Sequence, residues 1–181
     1  MAARCLEEVL AIEPEAETDF EVLQVILRAR NDDERLAQVM RRRAAAGTLP
    51  KRRDRLLALA ELIHGRDPVE AASVLAEAAK LDPTSVPVLL RLAEVEADLG
   101  RHAEAIATYR HAIAASPDPR TVSAAWVRIG DIAERALADG DQAIEAHRNA
   151  LLAAPDEISA LAELIHARDP VEAAAVLAEA V

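Results

Sequence analysis

The sequence predicts an all-α protein built from repeated pairs of antiparallel helices, and three observations lead to this fold class. Of the 181 residues, 52% are hydrophobic but only 2% are aromatic, so the core must consist of small and aliphatic side chains, which favours closely packed helices. Apolar residues recur at the i, i+3, i+4 and i+7 spacing of a helix. Prolines suited to end each pair recur at separations of 36, 33, 34 and 38 residues, at Pro14, Pro50, Pro83, Pro117 and Pro155.

The repeat divides the chain into half a hairpin followed by five full ones. The N-terminal half is expected to supply the second helix of a pair without its first. All of them are expected to form a single helical repeat domain over residues 1–181. The predicted bounds, in chain order, are 1–14, 17–50, 53–83, 86–117, 123–155 and 156–181.

The first two full hairpins differ in how closely they follow the repeat. In the first, Gln24 occupies a position that is small in the other hairpins, and Arg43 occupies one where the others have Ala. Its packing is therefore expected to depart from the pattern. In the second, Asp67 and Pro68 supply an N-cap followed by a proline at the first helical position, a strong signal that a helix begins there.

The third and fourth hairpins are the cleanest copies of the unit. Residues 89–117 read LLRLAEVEADLGRHAEAIATYRHAIAASP, in which two amphipathic helices meet at Gly100. Ser85 is the expected N-cap of the first of these helices. The fourth hairpin contains the motif Trp126-x2-Ile129-Gly130.

The spacing of residues 89–117 is L-x2-L-A, then L-G, then A-x3-Y-x2-A-x4-P. Together with the Trp126 motif, it resembles the tetratricopeptide repeat (TPR), and the chain is similar to a bacterial-type TPR array. The resemblance implies a right-handed superhelical solenoid whose concave inner surface is lined mainly by the first helix of each pair. One hairpin cannot bury its own apolar face, so neighbouring hairpins must stack. Small residues are expected where helices approach closely, at Ala93, Ala105, Ala112, Gly130, Ala143 and Ala150.

A longer repeat is superposed on the helix pairs. Residues 58–79 and 160–181 match at 19 of 22 positions, at an offset of 102 residues, which is three times 34. The match indicates either a recent duplication or a segment of a longer array.

Charge and composition narrow the class of partner. The formal net charge of −11 argues against general binding to nucleic acid or anionic membranes, which requires a basic field. The single cysteine, Cys5, cannot form an internal disulfide, and no stretch is apolar enough to span a bilayer. Glu7 and Glu8 interrupt the N-terminal run that a signal peptide would need. These features predict a soluble, cytoplasmic protein.

The sequence contains no recognisable motif for catalysis or for a cofactor. Its five histidines fit no metal-ligand spacing, its glycines are scattered singly, and no nucleophile motif is present. We therefore expect no enzyme activity, no cofactor and no metal site. Phe20, Tyr109 and Trp126 stand at core-packing positions of the TPR pattern, so burial is expected for them rather than ligand stacking.

The inward-facing positions of the first helices form the candidate partner-binding groove. One position is acidic in four successive hairpins, and the position three residues earlier is arginine in the two central hairpins. Apolar residues flank both positions. The candidate groove residues are Leu57, Glu61, Leu90, Arg91, Glu94, Val127, Arg128, Asp131 and Glu163.

Two interpretations of these charges stay open. Arg91 with Glu94, and Arg128 with Asp131, can be ordinary i, i+3 ion pairs on a wetted face, worth about 0.2–0.5 kcal/mol each. Alternatively they orient a bound partner, because a repeated acidic position costs repulsion unless something offsets it. The clamp of Lys, Asn and Arg with which some TPR proteins grip the C-terminal carboxylate of chaperone tails is not expected, because the required Asn and Lys are absent from the corresponding positions.

Residues 28–55 form a basic segment in an otherwise acidic chain. They contain ten Arg or Lys and four Asp or Glu, which gives a net charge of +6. Since the whole chain has a net charge of −11, the other residues together carry −17. Such a run is usually a solvated face. The alternative is that it attracts an acidic partner, or the acidic remainder of another copy, through charge complementarity.

The preferred functional prediction is a non-catalytic scaffold that binds a peptide or protein segment in the groove. A second hypothesis is a self-assembling spacer that stacks end to end through its terminal hairpins, because Val171 and Leu177 have no following helix to cover them. A third is RNA binding by an array of helical repeats, which needs a basic inner row and is disfavoured by the acidic one.

Overall fold

The computed structural model describes residues 2–154, and the predicted fifth hairpin, with Glu163, lies outside the described residues. The described part contains nine α-helices and no strand, as the predicted all-α class requires. The helices are α1 Ala2–Ile12, α2 Glu17–Ala29, α3 Asp33–Ala44, α4 Leu49–Ile63, α5 Pro68–Leu81, α6 Val86–Asp98, α7 His102–Ala115, α8 Pro119–Arg135 and α9 Gly140–Ala153. None of the helices within residues 2–154 is long and apolar enough to cross a lipid bilayer.

The chain divides into two compact units at the junction between Pro83 and Thr84. In the first unit, the half-hairpin helix α1 packs on α2 and α3, α3 packs on α4, and α4 pairs with α5. In the second unit, α6 pairs with α7, α7 packs on α8, and α8 pairs with α9. The single repeat domain expected from the sequence stays a prediction.

The first full hairpin packs differently from the others, as its sequence indicates. The helices α2 and α3 meet over a smaller contact than the pairs α4 with α5, α6 with α7 or α8 with α9. Leu23 and Leu27 of α2 are fully buried, but Gln24 is only partly buried. At the position where the other hairpins have Ala, the Arg43 residue is 3% exposed.

Pro50 starts a helix instead of closing the first hairpin. The helix α3 ends at Ala44, the chain turns through Gly47 at a φ of 97°, and α4 begins at Leu49 with Pro50 in its first turn. A proline is well tolerated there because the first N–H groups of a helix have no partner inside it. Proline spacing alone cannot distinguish the two uses, so α4 begins earlier than the bounds 53–83 imply.

Aspartate side chains cap four of the described helices. Asp67 accepts a hydrogen bond from the Glu70 amide at 2.8 Å, with Pro68 as the first residue of α5, as the sequence predicts. Asp118 and Asp139 make the same contact at the starts of α8 and α9. Ser85 is the N-cap residue of α6 but makes no side-chain cap hydrogen bond.

The core of the second unit depends on small residues at the helix crossings. Tyr109 is 2% exposed and packs with Ala93, Ala125 and Ile129, while the partly buried Trp126 covers the same cluster. The six predicted close-approach residues are all buried. At Gly130 the approach is closest, because a Cβ added there would lie 2.6 Å from Nε2 and 2.8 Å from Nδ1 of the fully buried His147.

We predict that Gly130→Ala destabilises the protein. Alanine is a better helix former than glycine, but its methyl group would overlap a ring that the surrounding core holds in place. Overpacking of this kind costs about 1–3 kcal/mol, which exceeds the gain of about 1 kcal/mol in helix propensity. Urea unfolding followed by circular dichroism measures the difference.

Gly65→Ala is the matched control. Among the described residues, nothing beyond its chain neighbours lies within 4 Å of an added Cβ, and the duplicated segment has Ala167 at this position. We expect its free energy of unfolding to stay within about 0.5 kcal/mol of the wild type. Equal effects from the two substitutions would contradict the close approach at Gly130.

Candidate functional site

Four of the six predicted groove residues of the third and fourth hairpins line one pocket in the second unit, and Arg91 and Asp131 do not. Leu90 and Glu94, one helical turn apart on α6, form one wall, and Val127 and Arg128 of α8 form the facing wall. Tyr109 reaches the pocket from α7. The pocket has a volume of about 420 Å³, and its lining residues are Leu90, Glu94, Tyr109, Arg120, Thr121, Ser123, Ala124, Ala125, Val127 and Arg128.

The charged residues of this pocket are unequally engaged. Arg91 Nη1 donates to Glu94 Oε2 at 2.9 Å and is absent from the lining of the pocket. Arg128 Nη1 lies 4.0 Å from Asp131 Oδ2, the outer limit of an ion pair, and its side chain is 58% exposed. Arg91 therefore holds Glu94 in place, whereas most of the Arg128 side chain is exposed to solvent.

Tyr109 and Arg128 stand between this pocket and a smaller one of about 210 Å³. The smaller pocket is lined also by Asp98, His102 and Asp131. The interaction with the Tyr109 hydroxyl raises the pKa of the Arg128 guanidinium further above its ordinary range. Burial raises the pKa of the Tyr109 phenol, so Tyr109 stays neutral at physiological pH.

The remaining predicted groove residues lie elsewhere. Leu57 and Glu61 belong to α4 in the first unit, where Leu57 is partly buried and Glu61 is exposed. Glu163 lies outside the described residues. Within the second unit, the acidic row consists of Glu94 and Asp131, and both have an arginine within 4.0 Å.

The first unit contains a second pocket that the sequence pattern does not predict. It has a volume of about 260 Å³ and lies between the first helices α2 and α4, with α3 behind it. Its lining residues are Glu17, Phe20, Met40, Arg43, Lys51, Asp54, Arg55 and Ala58. The only signal in the sequence was Arg43 at a position where the other hairpins have Ala.

Arg43 is held by three different groups. Its Nε donates to the Pro14 carbonyl at 2.7 Å, and its Nη2 lies 2.8 Å from Glu17 Oε2. Its guanidinium carbon lies 3.9 Å from the centre of the Phe20 ring, a cation–π contact. A charged group this deeply buried requires partners of this kind.

Two further arginines satisfy the C-terminal end of α3. The last carbonyls of a helix have no partner within the helix and carry its negative partial charge. Arg55 Nη1 donates to the carbonyls of Arg43 and Ala46 at 3.0 Å each, and Arg52 Nε donates to the Ala44 carbonyl at 3.2 Å. These contacts join α4 to the end of α3.

The basic segment 28–55 is largely engaged inside the first unit. Seven of its ten cations contact a carboxylate or a carbonyl there, and they are Arg35, Arg41, Arg43, Lys51, Arg52, Arg53 and Arg55. Their carboxylate partners include Glu7, Glu15, Glu17, Glu70 and Asp82. Most of the segment's charge therefore stabilises the unit and is not displayed as a free basic face.

Within residues 2–154, no group of three or more His, Cys, Asp or Glu side chains could hold a metal ion. Of the three aromatic residues expected in the core, Tyr109 is buried, while Phe20 and Trp126 are partly buried. Cys5 is exposed on α1.

The chain is similar to tetratricopeptide repeat proteins in sequence and in fold. The family profile of the tetratricopeptide repeat matches residues 62–125. The MamA protein has a TM-score of 0.65 at 21% identity over 90% of this chain and 85% of its own. YrrB, a TPR protein with an unusual peptide-binding site, has a TM-score of 0.64 at 16% identity over 88% and 80%. BtubC (BKLC) from P. vanneervenii has a TM-score of 0.66 at 15% identity over 99% and 82%. No curated protein matches the sequence.

These similarities confirm the tetratricopeptide repeats that the motifs predicted. Residues 62–125 match the tetratricopeptide repeat model, and the fold is an all-α helical repeat solenoid like that of the solved TPR proteins. This class of module generally mediates protein interactions and is typically non-catalytic. The handedness of the solenoid and the number of its repeats stay predictions.

We predict that Arg43→Met destabilises the protein by about 1–3 kcal/mol, although methionine keeps most of the apolar stem. The Pro14 carbonyl would lose its donor, and Phe20 would lose the cation above its ring. Arg42→Met is the control, because Arg42 is exposed on the same helix and should change the free energy of unfolding by less than about 0.5 kcal/mol. Chemical unfolding of both variants tests this, and equal stabilities would show that Arg43 is dispensable.

We also predict an acid-dependent contribution from Glu17. The neighbouring guanidinium groups of Arg43 and Arg55 lower the pKa of the Glu17 carboxyl from its usual 4.5. A folded-state pKa below the unfolded value means that the stabilisation is complete above the unfolded value and is lost as the pH falls through the folded value. The stability advantage of the wild type over Glu17→Gln should therefore be present at pH 7 and disappear in strong acid. An advantage of the same size at both pH values would contradict the ion pair.

Proposed function

We propose that this protein is a non-catalytic interaction scaffold, and that the pocket between α6 and α8 binds a peptide or protein segment. One observation carries the proposal: Leu90, Glu94, Val127 and Arg128, chosen from the sequence as inward-facing, line one pocket. Its volume of about 420 Å³ falls in the range of about 300–1,000 Å³ that is usual for ligand sites.

The lining of the pocket suits an apolar side chain held in a fixed orientation. Leu90 and Val127 offer apolar surface, whose contact with a ligand side chain would supply most of the affinity. Arg120, Arg128 and Glu94 stand in the same lining as charged groups that can orient the ligand backbone or its polar side chains. An apolar centre with a polar rim is the usual composition of a protein interface.

Arg91 and Arg128, the two arginines at predicted inward-facing positions, have different roles in this proposal. Arg91 is occupied by Glu94 at 2.9 Å, so it positions that carboxylate and does not meet the ligand. Arg128 is the more exposed of the two, with 58% of its side chain accessible against 28% for Arg91. Arg128 is therefore the better candidate for choosing among partners.

Peptide binding is compatible with what is seen on this fold. YrrB, which shares the fold, is a TPR protein with an unusual peptide-binding site. For RNA, the basic segment 28–55 is the feature that would have to serve, and most of its cations contact groups of the first unit. The residues on which the end-to-end stacking hypothesis rests lie outside the described part of the chain, so that hypothesis stays a prediction. The cytoplasmic location also stays a prediction.

Selection of a random phage-displayed peptide library on the purified protein tests the proposal. For the peptides recovered, we expect Arg128→Glu to weaken binding by about tenfold or more, because reversing the charge replaces an attraction with a repulsion. Fluorescence polarisation with labelled peptides gives the dissociation constants, and circular dichroism confirms that the variant is folded.

Arg110→Glu is the matched control for that experiment. Arg110 is exposed on α7 and belongs to the lining of neither pocket of the second unit described above, yet its reversal changes the net charge by the same amount. The Arg110→Glu variant should bind the peptides with an affinity within about twofold of that of the wild type. Peptides that bind both variants and the wild type equally would place the binding surface elsewhere.

A further inference from the structure

In the first unit, two largely buried guanidinium groups contact one carboxylate. Glu17 lies 2.8 Å from Arg43 Nη2 through Oε2 and 2.9 Å from Arg55 Nη2 through Oε1. The side chains of Arg43 and Arg55 are only 3% and 12% exposed, whereas that of Glu17 is 58% exposed. The two cations belong to the protein interior, and the carboxylate that joins them comes from the surface.

The two arginines are held in place without Glu17. Arg43 is fixed by the Pro14 carbonyl at 2.7 Å and by the Phe20 ring at 3.9 Å. Arg55 is fixed by the carbonyls of Arg43 and Ala46 at 3.0 Å each. Since these partners come from the backbone and from an aromatic face, the pair keeps its geometry when the carboxylate changes. A preorganised pair of this kind is what carboxylate recognition requires.

An apolar pocket adjoins the carboxylate. The pocket of about 260 Å³ includes Phe20, Met40 and Ala58 together with Glu17, Arg43 and Arg55. It is large enough for one aliphatic side chain. A ligand can therefore place a carboxylate between the arginines and an attached or adjacent apolar group against Phe20 and Met40.

We propose that Arg43 and Arg55 form a carboxylate-binding site which Glu17 occupies from within the chain. An acidic peptide with an aliphatic side chain next to its carboxylate displaces Glu17 from this site. The exchange is balanced, because one carboxylate replaces another and the exposed Glu17 returns to water. The gain comes from the aliphatic group that enters the pocket.

This site is separate from the one proposed in the second unit. It uses different residues, and neither result depends on the other. Loss of peptide binding by Arg128→Glu would say nothing about Arg43, and the experiments below leave the pocket between α6 and α8 unchanged.

Removing Glu17 and supplying a free carboxylate tests the site directly. In Glu17→Ala, we expect sodium isovalerate to raise the melting temperature by about 2–4 °C more than sodium chloride at the same ionic strength. The wild type should respond less, because Glu17 competes. Glu21→Ala removes an exposed carboxylate from the same helix and should respond as the wild type does. Glu17→Gln replaces Glu17→Ala if the alanine variant does not fold.

A double variant tests whether the extra rise in melting temperature with isovalerate depends on Arg43. Adding Arg43→Met to Glu17→Ala should abolish the extra rise. Equal responses to isovalerate in Glu17→Ala, Glu21→Ala and the wild type would overturn the proposal, as would an undiminished response in the double variant.

Two pairs of short peptides then distinguish the source of the carboxylate. One pair is blocked at both ends and contains Leu-Glu or Leu-Gln, and the other ends in leucine with either a free or an amidated C-terminus. Titrated into Glu17→Ala, the carboxylate member of at least one pair should bind about tenfold more tightly than its neutral partner, and more tightly than it binds the wild type. The pair that shows this preference identifies a side-chain or a terminal carboxylate as the ligand. No preference in either pair, or the same affinity for the wild type, would overturn the proposal.

Discussion

Each helix pair can bury its apolar face only against a neighbouring pair, and this requirement decides where large and small residues stand. Ala93, Ala105, Ala112 and Ala143 are at most 1% exposed, because the helices that contain them cross closely. At Gly130 the fully buried His147 ring excludes even a methyl group. Since these crossings hold the backbone in place, the residues on the open faces of the first helices can vary without changing the fold.

The first hairpin meets the same requirement in a different way. Its second helix has Arg43 where the other hairpins have Ala, and a guanidinium cannot be buried without partners. Those partners come from the loop before α2 through Pro14, from the start of α2 through Glu17, and from the Phe20 ring. The helices α2 and α3 consequently meet over a smaller contact, and a pocket opens between α2 and α4.

The two units thus build pockets at equivalent places with different chemistry. In each, two first helices form the walls, and the second helix between them supplies a side chain, Met40 in the first unit and Tyr109 in the second. In the second unit the exposed cation Arg128 stands at an apolar pocket. In the first, buried cations already hold a carboxylate. One repeated geometry therefore underlies both of the proposed binding sites, which differ in their charged groups.

The sequence by itself determined the helical repeat, the buried alanines, the Asp67 cap and four lining residues of the pocket between α6 and α8. These follow from periodicity and from residue types that act locally. Only the tertiary structure decided that Tyr109 and Thr121 belong to the same pocket, that Pro50 begins a helix, and that Arg43 is buried. The physical reason is that periodicity shows which face of a helix a residue occupies. The partners of a buried charge come from distant segments, and no local pattern records them.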